Sequence, residues 1–206
     1  MKLYITPGSP YARMVRMFIL EKDLQERIEI IVAQTRQANS PYYQINPSGR
    51  VPYLIRDDGV GLEESALVID YLDQLDGKPV MTLPAGEAGW EARRLEALAR
   101  SLMDGIAVWS RERARPDLER SPTTIKHERA RCARMVNLWE SLIDHAWMNG
   151  ATHLPLNMAR ITLACALGMA ARNPDIDWRS GRPKLCAWFD AFAARPSFAA
   201  TAAGQS

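Results

Sequence analysis

The sequence predicts two domains of different class: a small α/β unit followed by an all-helical one. Three observations carry this. The first part of the chain mixes strand and helix periods. The stretch from Gly77 to Gly89 is rich in glycine and proline. Beyond it, apolar residues recur only at helical spacing. The chain has 206 residues, enough for two modest domains that each bury a core. The expected division is 1–77, a linker at 78–88, and 89–206.

Each element has its own signal. Lys2–Thr6 reads as a short strand. Pro7-Gly8-Ser9-Pro10 is turn chemistry, with Ser9 as N-cap and Pro10 at the first helical position. Val15, Phe18 and Ile19 then follow at helical spacing up to Lys22. Ile28–Val32 reads as a strand, and the irregular stretch from Asn39 to Ile45 suits a short helix. Pro52–Arg56 and Gly61–Glu63, separated by Asp57-Asp58-Gly59, predict a hairpin. Ser65 is expected to cap a helix carrying Leu67, Val68, Tyr71, Leu72 and Leu75, ended by Gly77.

The second part is read by its stripes. Leu95, Leu98, Leu102, Ile106 and Trp109 form one, and Pro116 stops that helix. Ile125, Cys132, Val136, Trp139, Ile143 and Trp147 form a second. Met158–Met169 is apolar almost all round, which marks a helix at a bundle centre. Leu185, Trp188, Phe189 and Phe192 form a third stripe, with Pro196 as its stop. The tail from Thr201 to Ser206 is small and polar and is expected to fray.

Bulk properties exclude several roles. A formal net charge of +2, without a stripe of Lys and Arg among aromatics, gives no footprint for nucleic acid. No run is long and apolar enough to cross a membrane, and Met1–Thr6 lacks the pattern of a signal peptide. The three cysteines, Cys132, Cys165 and Cys186, all fall in helical patterns, which points to a reducing compartment. His127, His145 and His153 are scattered, so no metal is expected.

The most informative stretch is Asn46-Pro47-Ser48-Gly49-Arg50-Val51-Pro52-Tyr53-Leu54, with Glu64-Ser65 shortly after. Proline cannot donate to a strand ladder, so Pro52 at the head of an apolar run needs an explanation. A cis Val51–Pro52 peptide supplies one. It would present the Val51 N–H and C=O to an extended peptide, as an added strand does. Glu64 would accept from that peptide's ammonium. Ser65, at a helix start, would donate to its carboxylate. Together these read as a site for a small peptide such as glutathione.

The α/β-then-helical order, with Ser9-Pro10-Tyr11-Ala12 and Arg50-Val51-Pro52 in place, resembles the glutathione S-transferase family along nearly the whole chain. Arg111–Pro116 and Leu156–Ala166 are similar to a bacterial YibF-like branch. The resemblance implies a thioredoxin-like N-terminal domain that binds glutathione and an all-α C-terminal domain. It also implies a cytoplasmic homodimer, with detoxification as its role. A small hydrophobic electrophile would be the second substrate, lined by Tyr11, Met103, Ala107 and Ser110.

Ser9-Pro10-Tyr11-Ala12 stands where a thioredoxin carries Cys-Pro-Tyr-Cys, so disulfide reduction by a protein thiolate is disfavoured. A hydroxyl at a helix N-terminus remains. Lowering a thiol pKa by about two pH units takes roughly 2.7 kcal/mol of preferential anion stabilisation. A charge-assisted hydrogen bond and a helix end can supply that much. Ser9 ranks first for this role, Tyr11 second and Tyr4 third. The plain alternative is that Ser9 only caps its helix. Gln34 and Arg36 stand where the family often contacts the glycyl end. One departure is Asn157-Met158-Ala159-Arg160, where the family places an acid at the fourth position. Arg160 is expected to pair with a carboxylate elsewhere. Two further readings share the half-site: a non-catalytic glutathione-binding or assembly module, and a glutathione-dependent lyase, isomerase or dehalogenase.

Overall fold

The computed structural model describes residues 1–149 and 156–203. His153 and the last three residues of the tail lie outside them. The chain divides into two compact units. One is Met1–Met81 together with the segment from Pro196, and the other is Thr82–Arg195.

In the first unit, β1 (Lys2–Ile5) and α1 (Pro10–Glu21) are followed by a 3-10 turn at Gln25–Arg27 and β2 (Glu29–Val32). Then come α2 (Tyr42–Ile45), β3 (Tyr53–Ile55), β4 (Gly61–Glu63) and α3 (Ser65–Gln74). The sheet order is β2-β1-β3-β4. β1 runs parallel to β2, with Leu3 opposite Ile30, and antiparallel to β3, with Leu3 opposite Leu54. β3 and β4 form the expected hairpin. The ladder starts at Tyr53, one residue beyond Pro52, because proline has no N–H to contribute. Successive strand residues face opposite ways. Leu3, Ile5 and Leu54 are therefore buried on one face, while Tyr4 packs on the other with Ala33 and Tyr42.

The stretch expected as linker begins later than predicted. Asp73, buried on α3, accepts the N–H groups of Val80 (2.9 Å) and Met81 (2.8 Å). Lys22 bonds Asp76 at 2.9 Å and the Lys78 carbonyl at 2.8 Å. Residues 78–81 are thereby tied to the first unit. The C-terminal segment also belongs there. Pro196 opens α8 (Pro196–Ala200) instead of merely closing the helix before it, since proline at a first turn forfeits no intrahelical bond. Arg13 donates to the Phe198 carbonyl at 2.7 Å and lies 3.6 Å over the Phe198 ring. Thr201, expected to fray, is buried, and its hydroxyl donates to the Ser197 carbonyl.

The second unit holds α4 (Glu87–Arg113), a 3-10 turn at Asp117–Glu119, α5 (Pro122–Leu142), α6 (Met158–Ala170) and α7 (Pro183–Ala193). α6 is its centre, with Ala159 through Gly168 buried without interruption. α4 packs against both α5 and α6. Its stripe is buried except for Leu98, which is only partly so. The second stripe is buried from Cys132 to Ile143, while Ile125 and Trp147 at its ends are half-buried.

Asn157 caps α6, its side-chain oxygen accepting the Arg160 N–H at 3.0 Å. Arg160 is buried, and its guanidinium donates to the Trp147 carbonyl at 2.8 Å and to the Asn149 carbonyl. Backbone carbonyls thus meet this cation. The turn at 145–149 leaves carbonyls that need donors, and a buried guanidinium provides several.

Candidate functional site

Ser9 sits at the mouth of α1, half-buried, in extended backbone. Its oxygen accepts the Ala12 N–H at 3.2 Å. A capping bond uses a lone pair of the hydroxyl and leaves its hydrogen for another acceptor. The two readings of Ser9 are therefore compatible: one hydroxyl can cap the helix and also donate to an anion. Tyr11 follows half-buried in the first turn. Tyr4 is a core residue, its ring 5.5 Å from that of Tyr42.

The Val51–Pro52 peptide is cis. The loop before it is held by a closed set of polar contacts. The Tyr42 hydroxyl donates to the Arg50 carbonyl at 2.5 Å, and the Asn46 amide donates to the same carbonyl at 3.0 Å. The Asn46 amide also donates to Glu63 at 3.1 Å, and Glu63 accepts the Ser48 hydroxyl at 2.5 Å. The Ser48 hydroxyl oxygen takes the Arg50 N–H at 3.1 Å, and the Asn46 side-chain oxygen takes the Ser48 N–H at 3.1 Å. Burial pushes the Tyr42 phenol up to about 12, against a smaller opposing effect from Asn46, so it stays a donor. Gly49 closes the turn at φ 67°, and a Cβ there would meet the Tyr43 ring at 2.7 Å.

Tyr42, Asn46 and Glu63 carry this loop, yet sequence reading missed all three as site residues. Asn46 reads only as turn chemistry, Tyr42 falls in an irregular stretch, and Glu63 looks like a strand end. A usable signal was the bunching of Asn46, Ser48 and Glu63 around a proline that needed support.

Glu64, not Ser65, is the N-cap of α3. Its φ of 83° is a conformation that non-glycine residues rarely adopt. The Glu64 carboxylate accepts the Ser65 hydroxyl at 2.9 Å and the Ala66 N–H at 3.4 Å. Glu64 is exposed while Ser65 is buried. The strained backbone thus projects an acid outward at a helix start and places a hydroxyl behind it. Gln34 is exposed, and its backbone carbonyl accepts the Ser40 hydroxyl at 2.6 Å. Arg36 is exposed too, at φ 58°.

In the helical unit, Met103 and Ala107 are buried. Ser110 alone of the three expected there lines a cavity of about 370 Å³, with Arg113, Met169, Arg172, Asn173 and Pro174. The Ser110 hydroxyl and the Asn173 amide nitrogen are buried without a hydrogen-bond partner among the described residues. Sequence reading missed Asn173, since nothing in its pattern distinguishes it from a loop residue. Among the described residues, no group of His, Cys, Asp and Glu is placed to hold a metal ion, and no helix is long and apolar enough to cross a membrane.

Residues 3–80, the unit that holds the Ser9 helix end and the cis-proline loop, match the family model for the glutathione S-transferase N-terminal domain. A crystal structure of a glutathione transferase family member from Pseudomonas fluorescens Pf-5, with bound S-(propanoic acid)-glutathione, is 33% identical. It superposes with a TM-score of 0.82, covering 98% of each chain. The chain belongs to the glutathione S-transferase family. The same kind of superposition holds for a Pf-5 family member with bound glutathione, at 32% identity, TM-score 0.84 and 98% coverage of each chain. An uncharacterised GST-like protein of Escherichia coli K12, YibF, is 29% identical over 202 residues, again 98% of each chain. The thioredoxin-like sheet with a helical C-terminal region is thus the family's architecture, and Ser9, Val51, Pro52, Glu64 and Ser65 all lie in the matched N-terminal domain.

Proposed function

We propose that the protein is a glutathione transferase that activates the glutathione thiol for attack on a small apolar electrophile. The observation that carries the reading is Ser9, whose hydroxyl caps α1 through a lone pair and keeps its hydrogen for a sulfur anion at the positive helix end. In this reading Val51 bonds the cysteinyl backbone, Glu64 takes the γ-glutamyl ammonium, Ser65 supports the adjoining carboxylate and Gln34 meets the glycyl end. The glutathione and the glutathione conjugate held by the Pf-5 family members support it. The protein works as a cytoplasmic homodimer, which light scattering tests.

Calorimetry with glutathione and conjugation of an aryl halide test the reading together. Ser9→Ala should raise the pKa of bound glutathione by about one to two pH units, the share of one charge-assisted hydrogen bond, cutting thiolate absorbance and turnover at neutral pH by about three- to 25-fold. Unchanged thiolate absorbance in Ser9→Ala would reduce Ser9 to a helix cap. The Ala12 N–H bond favours one second reading, a non-catalytic glutathione-binding module. Tight glutathione binding with no turnover across several electrophile classes would establish it.

A further inference from the structure

We infer that Tyr42 and Asn46 are positioning residues that aim the Val51 N–H at the bound peptide. The inference rests on the glutathione reading of the site.

The geometry begins at the Arg50–Val51 peptide. It is trans, since the cis bond of this loop is the next one. In a trans peptide the C=O and N–H point in opposite directions within one plane. Fixing the Arg50 carbonyl therefore fixes the direction of the Val51 N–H. Two side chains do this, the Tyr42 hydroxyl at 2.5 Å and the Asn46 amide at 3.0 Å. Both residues are 3% exposed, so neither competes with solvent for its acceptor. The other end of residue 50 is also held, its N–H donating to the Ser48 hydroxyl oxygen. The Arg50 side chain is exposed and takes no part in this support.

The consequence is directional. The carbonyl is drawn toward Tyr42 and Asn46, so the Val51 N–H points away from them. Among the described residues, no acceptor is bonded to that N–H. Recognition through an added strand depends on such a donor being held in place before the peptide arrives.

The Asn46 amide has two hydrogens, and both are used, one on Arg50 and one on Glu63. Glu63 also holds Ser48, so the amide cannot rotate without breaking several bonds. Tyr42 reaches the same carbonyl from α2. Two donors, one from the start of α2 and one from its C-cap, leave the peptide plane little freedom.

Tyr42→Phe is the cleanest test, because it removes one hydroxyl and keeps the ring against Tyr4. Affinity for glutathione by calorimetry should fall about five- to tenfold, as expected for losing the support of one hydrogen bond. Turnover at saturating glutathione and the thiolate absorbance of the bound ligand should not change, because Ser9 is untouched. Asn46→Ser, which keeps a smaller donor, should weaken binding by a similar factor. In ligand-free protein, the Val51 amide resonance should shift in both variants. Affinity within twofold of wild type for Tyr42→Phe, or a matching fall in turnover at saturation, overturns the inference. If wild-type protein binds no glutathione, the transferase reading fails by itself. The Val51 amide resonance then decides the inference alone: a shift upholds the pinning and an unmoved resonance ends it.

Discussion

The loop 46–52 and the cavity lined by residues of α4, α6 and the turn after α6 treat polar atoms in opposite ways. In the loop, the Arg50 carbonyl, the Asn46 amide, Glu63 and the Ser48 hydroxyl are joined in one network. In the cavity, the Ser110 hydroxyl and the Asn173 amide nitrogen meet no partner among the described residues. A satisfied network holds one geometry, whereas an unsatisfied polar atom costs stability without specifying anything. The difference teaches that the loop of the first unit is built to hold one fixed shape.

Deleting a polar group should therefore have opposite signs in the two places. The largest effect is expected for Asn46→Ala, which removes one of the two donors to the Arg50 carbonyl, one of the two to Glu63 and the acceptor of the Ser48 N–H. Chemical denaturation should show a loss of roughly 3 kcal/mol, from three hydrogen bonds at about 1 kcal/mol each.

Alkaline titration should separate the two units next. Tyr42 in the first unit rises from 10.0 to about 12, with burial as the main cause. Cys132 in the helical unit rises from 9.0 to about 11, also chiefly through burial. In both cases the unfolded chain releases its proton first, so stability is complete below the unfolded pKa and declines as pH rises toward the folded one. The helical contribution should be lost between pH 9 and 11 and the Tyr42 contribution between pH 10 and 12. Each loss is at most roughly 2–3 kcal/mol. Cys132→Ala and Tyr42→Phe should each remove its own window from pH-dependent melting curves. Windows unmoved by the substitutions would break the assignment.

Glu64→Gly should give a smaller effect with a telling sign. Glycine adopts positive φ freely, so relief of about 1 kcal/mol of backbone strain should outweigh the few tenths lost in capping. The variant should melt slightly higher and bind glutathione poorly. A lower melting point would mean that the carboxylate serves the fold more than the ligand. The smallest change is expected for Ser110→Ala, which removes an unpartnered hydroxyl and should stabilise by up to about 1 kcal/mol. Destabilisation there would show that the cavity satisfies its polar atoms and would narrow the contrast.

Most of the local structure was legible in the sequence. Ser9 before Pro10 marks the α1 cap, and Asn157 marks the start of α6, because a cap bonds only three residues ahead. The hairpin from Tyr53 to Glu63 and the apolar run of α6 follow from period and turn chemistry. Even the α3 start was missed by a single residue, since Glu64 and Ser65 are both able to cap and only the backbone angle of Glu64 decides between them.

What the sequence by itself determined is therefore the order of elements, their types and the loop around Pro52 that forms the candidate site. Those properties depend on contacts within a few residues, and local pattern records them. The tertiary structure alone decided the rest. It joined Asn46 to Glu63 across 17 residues and Arg13 to Phe198 across 185. It moved the segment from Pro196 to the first unit and tied Arg160 to the Trp147 carbonyl. Such contacts depend on where the chain returns after its elements pack, and no local period carries that information.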